Sequence, residues 1–497
     1  MRARQPVVIG VGQLTNRASD PSQVLEPLAM MAEVARRAAA DAGIGDRLRE
    51  VDELTVINII SRAYADPPAL LAERLGLTPR QSWYTAIGGN SPQWRVNETA
   101  ARIARGEVRL PLIAGAEVVA GLQMARKAGV KLAWGPEGSP ATVGESRWGN
   151  NETEQHHHAL MPTSVYPLFE NALRAHRGWS IERHRAHLGA LCARLAAVAK
   201  DNPYAWFRDG KSADEIATVT DANRIIGWPY PKFMNAIIAV DQAAALLLTD
   251  TETARALGVP EDRWVYVVGC GDATDHWYVS DRVNYWSSPA IRTAGAQALA
   301  QARLSIDEID EFDLYSCFPC AVQIAADMLG IPVDDPRPLT VTGALPYHGG
   351  PGNNYVTHSI ASLVGRLRAT PGRRGLVTGV GWYLTKHAVG IYQSAPPAHE
   401  FARVDPATYQ AAIDAEPHPE LALTPDGAAT VETYTVTHDR DGNPSLGIVI
   451  ARLADGRRCW ANITDTDVLQ RMEREEFIGA RGQVRHHAPT QTNVFEP

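Results

Sequence analysis

The segment PLAMMAEVARRAAADAG (residues 27–43), followed after a short link by VDELTVINI (51–59), returns late in the chain as SPAIRTAGAQALAQARL (288–304) and IDEIDEFDLYS (306–316). Each unit reads as an alanine-rich amphipathic helix, an acidic turn and a short β-branched or apolar strand. A second pair follows in the same order. NETAARIARGEVRLPLIAGAE (97–117) runs from helix through a glycine stop into a buried strand, and VTHSIASLVGRLRATPGRRGLVTGVG (356–381) repeats those elements. Asp52 and Asp307 lie 255 residues apart, and Gly115 and Gly379 lie 264 apart. The near-constant offset predicts a duplicated α/β core with helices on both faces of its sheets.

Outside the duplication the texture changes twice. From Ala120 to about Asp250 an insertion carries tryptophan-rich, polar and proline-bearing stretches (WGPEGSP, RWGNNETEQHHH, NPYAWFRDG) around one long helix, IERHRAHLGALCARLAAVAKD. Long insertions at the loop edge of a sheet usually shape a binding site. Within it, consecutive His156, His157 and His158 cannot all face one site, so solvent exposure is their expected fate. After Pro396, APPAHEFARVDPATYQ reads as a linker. Residues from Ala429 onward alternate as strands broken by turns at 438–443 and 454–457, and FIGARGQVR adds a further strand. The expected organisation is an N-terminal half over 1–285 that includes the insertion, a C-terminal half over 286–396, and a small antiparallel β domain over 415–497.

Composition bounds the function classes. At 497 residues the chain is long for one domain, domains of roughly 100–200 residues being usual. With 45% hydrophobic and 21% charged residues, a sizeable core is available. The formal net charge of -8 argues against a nucleic-acid or anionic-membrane surface as the main partner. Residues 401–497 hold 15 acidic and 9 basic residues, so most of that charge sits in the tail. Five cysteines do not make a disulfide scaffold and fit a reducing, cytoplasmic compartment. The N-terminal MRARQPVVIGVGQL lacks a cleavage site, so no signal peptide is expected, and no apolar run is long enough to span a bilayer.

Four glycine-punctuated segments fall at predicted strand ends, where α/β sheets bind ligands. Ala86-Ile87-Gly88-Gly89-Asn90-Ser91-Pro92-Gln93 opens a helix, whose free N–H groups stabilise an anion or a nucleophile; on spacing alone it is a tight turn with a Ser cap. Asp313 to Cys320 contains a lone Cys317-x-x-Cys320 pair, too little for a zinc site, and reads as a buried strand-to-helix corner. Thr342 to Tyr355 holds four glycines and two prolines, which implies close backbone approach, and His348 within it has acid–base capacity. His358 reads as structural. Thr378 to His387 is a glycine turn running into aromatics and an ordinary Lys386-His387 pair.

Taken in order, PVVIGVGQL (6–14), the strand ending IAGAE, VDQAAALLLTD (240–250), LYSCFP (314–319), GALPYHGGPGNNY (343–355) and the turn near Thr378 resemble the thiolase superfamily, in particular sterol-carrier-protein-type thiolases and thiolase-like proteins. The resemblance covers about residues 5–395. It implies an α/β, five-layered core of two pseudo-symmetric halves, an inserted loop domain across which coenzyme A binds, and acyl-transfer or Claisen chemistry. The tail then reads as an additional small OB-like β domain. In such enzymes a cysteine at the start of the first core helix takes the acyl group, a histidine in Gly-His-Pro activates it, and a second cysteine moves the α-proton.

This chain departs at each of those positions. The nucleophile position is Gly89, the histidine position is Gly350, and the second cysteine falls at Thr378. The sterol-carrier motif His-Asp-Cys-Phe reads Tyr315-Ser316-Cys317-Phe318. Glycine has no nucleophile, so the covalent step of the standard reaction is lost. Substitutes named by the motifs are His348, Cys317, Ser91 and His387 as candidate catalytic residues. Gly89, Asn90, Tyr315 and Ser316, with Gly349, Gly350, Asn353, Asn354 and Tyr355, form the expected substrate-binding surface. Glycine N–H groups near Gly89 and along 349–352 are the candidate oxyanion donors. An extended segment would hold His348 about 6–7 Å from the lost histidine. No metal or resident cofactor is implied; coenzyme A or its thioester is the expected ligand. Two readings stay open, an acyltransferase-type enzyme with rearranged residues and a degenerate protein that binds thioesters or a partner without turnover. A homodimer through the sheet edge, or a protein partner through the tail, is the other expectation.

Overall fold

The computed structural model describes residues 4–497. The first half supplies β1 (Pro6–Thr15), β2 (Glu53–Val56), β3 (Gln81–Tyr84) and β4 (Pro111–Val118). The insertion adds two short strands, β5 (Ile225–Gly227) and β6 (Tyr230–Pro231). The core then resumes with β7 (Asp241–Asp250), β8 (Val265–Thr274), β9 (Glu311–Asp313), β10 (Arg374–Gly381) and β11 (Lys386–Gln393). These nine core strands run β3-β2-β4-β7-β1-β8-β11-β10-β9. Read outward from its centre, the order is the same sequence of elements twice, with β8 matching β1, β11 matching β7, β10 matching β4 and β9 matching β2. Within the sheet the two halves join where Val7 and Val8 pair with Tyr266 and Val265. A counterpart of β3 is missing from the second half, where a lone Leu314 N–H to Leu339 C=O bond of 3.0 Å marks its place.

The duplication is also written in glycines. A Cβ on Gly10 or Gly12 of β1 would run into the Ala38 or Val34 carbonyl of helix Pro27–Asp41, one helical turn apart. On Gly269 or Gly271 of β8 it would run into the Ala298 or Ala294 carbonyl of helix Pro289–Ala302. Each half therefore seats its first helix directly on strand backbone. Gly12→Ala and Gly271→Ala should each cost about 2 kcal/mol of stability by overpacking, with matching shifts in denaturant midpoint. Glu53 and Glu311 repeat the theme at the starts of β2 and β9. Each is buried, and each pairs with arginines of its half: Arg95 and Arg102 for the first, Arg366 and Arg373 for the second.

Helices Ser91–Ala104 and Tyr355–Ala369 form the middle layer, packed on strands of both halves, with the Pro27 and Pro289 helices outside. This explains why the Ser91 helix buries polar residues along its length: Asn97 donates to Asp272, Gln93 bonds Asn97 and the Tyr392 hydroxyl, and Arg95 reaches Glu53. The expected layered α/β core is thus present.

The tail forms β12 (Asp426–His438), β13 (Pro444–Leu453), β14 (Arg458–Ile463), β15 (Arg481–His487) and β16 (Thr492–Glu496). They close into a barrel, β12-β13-β14-β16-β15 and back to β12, with its own apolar core around Tyr434, Val449, Ala461 and Phe495. All contacts are antiparallel except β14 with β16, which departs from an all-antiparallel expectation.

Two sequence expectations change at this level. The barrel does not hang from a loose linker: Thr437 of β12 pairs with Gly227 of β5, so the insertion extends the barrel's sheet. The linker itself is pinned. Its helix Ala407–Asp414 places the Tyr409 hydroxyl on the N–H and C=O of Asp272, and the Gln410 amide on those of Thr274, standing in for a strand at the free edge of β8. Of the three consecutive histidines, His157 is buried rather than exposed. Its Nδ1 meets the Thr153 carbonyl and its Nε2 accepts from Asn493 N–H, so it serves as a seam between insertion and barrel. Among the described residues no helix is long and apolar enough to cross a membrane.

Candidate functional site

The loops that leave the C-terminal ends of β2, β3, β4, β9 and β10 converge with residues 344–354. Gly88 N–H donates to Asn353 Oδ1 at 2.8 Å, and Asn353 Nδ2 donates to the Asn58 carbonyl and Oδ1 at 3.1 and 3.2 Å. Asn354 Nδ2 donates to the Gly115 carbonyl at 2.7 Å. The turn before the Ser91 helix is therefore held by Asn353, and β4 by Asn354, both arriving from the other half. Asn58 was not singled out from sequence, since a lone asparagine after a strand carries no distinctive signal.

Gly89 is the centre of this arrangement. The atoms nearest a Cβ built there are the Tyr315 Oη, well inside van der Waals contact, the Val380 carbonyl oxygen at 2.6 Å, and Tyr315 Cζ at 2.7 Å. The phenol thus occupies the space into which a side chain at position 89 would project. Tyr315 is fixed there: its N–H donates to Thr378 Oγ1 at 2.8 Å, and its ring stands edge-on to Tyr355, centroids 5.7 Å apart. Thr378 therefore positions Tyr315 through its hydroxyl.

Of the candidate catalytic residues, Ser91 and His387 line one cleft with Asn90, whereas His348 lies apart from Gly89. His348 ends a one-turn helix, Leu345–His348, rather than lying on an extended segment. Ala344 takes φ 70° to start that turn and Gly349 takes φ 103° to end it. The His348 ring packs against Tyr355 and His358, with centroids 5.7 and 5.1 Å apart, which puts it in series behind Tyr355 and Tyr315. Its Nδ1 is 3.2 Å from the Gly349 carbonyl and its buried Nε2 has no partner. Burial holds the imidazole neutral, its pKa lowered to about 4. The folded state thus refuses a proton that the unfolded chain accepts near pH 6.5. This contribution to stability is complete above pH 6.5 and is lost as pH falls from 6.5 to 4. His348→Asn should remove on the order of 3 kcal/mol of that pH dependence, seen as a wild-type-minus-variant stability gap that shrinks over that window. His358, at 2.9 Å from Gln13 Oε1, is likewise held neutral by burial.

Cys317 is buried and its thiol is pushed up to about 12 by desolvation, so it is not a thiolate near neutrality. Cys320 donates to the Tyr166 carbonyl at 3.4 Å. The Ser91 hydroxyl donates to the Ala86 carbonyl at 3.2 Å; contrary to the expected Ser cap, Ser91 is the first helical residue and the cap position falls to Asn90, whose side chain makes no capping bond. The Ser316 hydroxyl accepts from Leu345 N–H and meets the Tyr355 hydroxyl, which also bonds Thr342 Oγ1 at 2.6 Å. His387 is buried beside Asp275 at 3.3 Å, with Ser288 bonded to the same carboxylate and Arg282 alongside; this cluster caps helix Pro289–Ala302. Two of the expected oxyanion donors in 349–352 are already committed, Gly350 N–H to the Ile237 carbonyl and Gly352 N–H to the Gly350 carbonyl, both at 2.8 Å. At position 350 a Cβ would meet Leu345 Cδ2 at 3.2 Å.

Lys386, read from sequence as an ordinary surface residue, is buried next to the Gly88–Asn90 turn. Its Nζ donates to the Ile87 and Glu145 carbonyls at 2.5 and 3.1 Å. The available signal was scarcity: the chain has only six lysines.

Known proteins place this geometry. Aligned over 100% of this chain and 99% of the other, the structure of a monomeric SCP2-thiolase-like protein type 1 from Mycobacterium smegmatis shares 34% identity at a TM-score of 0.87. The chain belongs to the SCP2-thiolase-like protein type 1 family. Residues 408–488 match the model of the thiolase-like protein type 1 additional C-terminal domain, a span that takes in most of the helix Ala407–Asp414 and the barrel through β15 but not β16. Two more distant structures share the type 1 protein's core fold. The Ltp2-ChsH2(DUF35) aldolase aligns at 17% identity and TM-score 0.60, over 78% of this chain and 97% of that one. The acetyl-CoA acetyltransferase from Syntrophomonas wolfei aligns at 14% and 0.57, over 79% and 100%. No curated protein matches the chain.

Proposed function

We propose that this type 1 protein binds coenzyme A thioesters at the strand-end loops without running the cysteine-dependent thiolase cycle. The observation that carries this is the Tyr315 phenol in the space over Gly89, which leaves neither a nucleophile nor room for one. The neutral, walled-off His348 and the protonated Cys317 thiol support it, because neither is poised to move a proton at that point. The thioester carbonyl would lie against the Gly88–Asn90 turn, with Asn353 holding the turn rather than the ligand.

Calorimetric titration of the full chain with coenzyme A and acetoacetyl-CoA should give binding, while a thiolysis assay on acetoacetyl-CoA gives none above background. Robust cleavage would overturn this reading; absence of binding would overturn it from the other side.

The gathering of Asn58, Asn90, Asn353 and Tyr315 on one turn favours a second reading, an acyltransferase-type enzyme with rearranged residues. It requires turnover of some acyl-CoA that Tyr315→Phe abolishes. The barrel's net negative charge and its bonds to the insertion fit an intramolecular docking role rather than nucleic-acid binding.

A further inference from the structure

Of the six lysines, Lys127, Lys131, Lys200 and Lys232 are exposed, Lys211 is half-buried, and Lys386 alone is buried. It begins β11 and reaches across to the turn that precedes the Ser91 helix. A buried ammonium is normally neutralised by a carboxylate. Here no acidic side chain lies within ion-pair distance of Nζ among the described residues, and its two partners are the Ile87 and Glu145 backbone carbonyls. Glu145 pairs its carboxylate with Arg147, and from the same cleft wall its charge favours the ammonium without bonding it directly. Two carbonyl acceptors satisfy two of the three N–H positions of an ammonium, or both N–H groups of a neutral amine.

The amine also has somewhere to act. Lys386 lines an open cleft of about 370 Å³ together with Asn90, Ser91, Trp94 and Thr274. Asn90 is 8% exposed and lines the same cleft, and its Oδ1 is buried without a hydrogen-bond partner. Built Cβ atoms place Oδ1 and Nζ on one side of Gly88, since a Cβ there would touch both. The far wall is the pinned linker, whose Arg403 is held by Glu98 and Asp272 and so does not compete for a ligand near Lys386. An amine without a direct ion pair, an orphaned amide oxygen and a cleft that admits a small molecule coincide at one place.

We propose that Lys386 is the nucleophile of a carbonyl-binding site in this cleft, forming an imine with a small aldehyde or ketone. The amine lone pair adds to the carbonyl carbon and a proton passes from nitrogen to oxygen, giving a carbinolamine. The C–O bond then breaks as the C=N bond forms, the hydroxyl leaving as water with the proton that remains on nitrogen. No oxidant or reductant is required. The Asn90 Oδ1 is placed to accept from the carbinolamine hydroxyl. Burial lowers the Lys386 ammonium to about 8, against about 10.4 for a free lysine, which supports a neutral fraction near pH 7.5 on the order of 100-fold larger than at a surface lysine. This site does not depend on the thioester-binding reading above.

The test is reductive trapping on the intact full-length protein. Propanal with cyanoborohydride at pH 7.5 converts any imine to a stable N-propyl lysine, and peptide mass spectrometry reports each of the six lysines separately. Lys386 should be labelled at least tenfold faster than every exposed lysine, despite its burial. Its rate should fall as the pH is lowered to 6, and labelling elsewhere should be unchanged in Lys386→Met. Labelling of Lys386 no faster than Lys127 or Lys232 would overturn the proposal and leave the amine as a clamp between two loops. Because the decisive comparison is made within the wild-type chain, a poorly folding variant does not blunt it.

Discussion

Arg458→Ala should lower the stability of the barrel–core assembly by about 3–5 kcal/mol, the usual cost of removing one partner of a buried ion pair. Arg458 is fully buried at the start of β14. Its Nε and one terminal nitrogen donate to Glu432 of β12 at 2.9 and 2.7 Å. The other terminal nitrogen leaves the barrel and donates to the Ser280 and Arg282 carbonyls, at 2.9 and 2.5 Å. Truncation therefore strands a carboxylate with Arg452 as its remaining cation and leaves two core carbonyls unpaired. Arg458→Lys keeps the charge but not the planar fork, and should recover only part of the loss. The measurement is denaturant unfolding followed by tryptophan fluorescence, where the variant should show a lower midpoint or a separate early transition. A midpoint change worth less than about 0.5 kcal/mol, the range of ordinary surface substitutions, would show that the barrel is held by its other contacts alone.

Gly89→Cys should fail to create a thiolase. The restored cysteine has no space: its Cβ would fall on the Tyr315 phenol and 2.6 Å from the Val380 carbonyl. Tyr315 cannot swing aside freely, because its backbone is tied to Thr378 and its ring to Tyr355. Overpacking of this kind costs about 3 kcal/mol. Nor would the thiol be activated, since position 350 is a glycine and His348 lies behind two aromatic rings. Two readouts follow: a reduced unfolding midpoint, and no acyl-enzyme by intact mass after incubation with acetyl-CoA. In a Tyr315→Ala background the same cysteine should be tolerated better, giving a coupling of at least about 1 kcal/mol in a double-mutant cycle. Additive effects would mean that the phenol is not what fills the position.

The large features were legible for a physical reason. Helix and strand periodicity is local, so the alanine-rich helices and apolar strands of both halves announced themselves, as did the barrel's alternating strands and turns. The glycines at 10, 12, 269 and 271 did not announce their role, because the contact of a strand with a helix's backbone exists only in the folded chain. The absence of a cysteine at 89 and of a histidine at 350 was plain. By contrast, the one-turn helix at 345–348 was read as extended. Glycine and proline density predicts close approach, not the direction in which a chain turns.

The sequence by itself determined a duplicated layered α/β chain with a β tail, and glycines at 89 and 350 where the resemblance to thiolases implies a cysteine and a histidine. Only the tertiary structure decided what surrounds those positions. Tyr315 and Gly89 are separated by more than two hundred residues, as are Lys386 and Ile87, or His157 and Asn493. Which side chain fills a vacated position, which lysine loses its carboxylate and which histidine becomes a seam are settled by where distant loops meet. A pattern of near neighbours carries no record of that meeting.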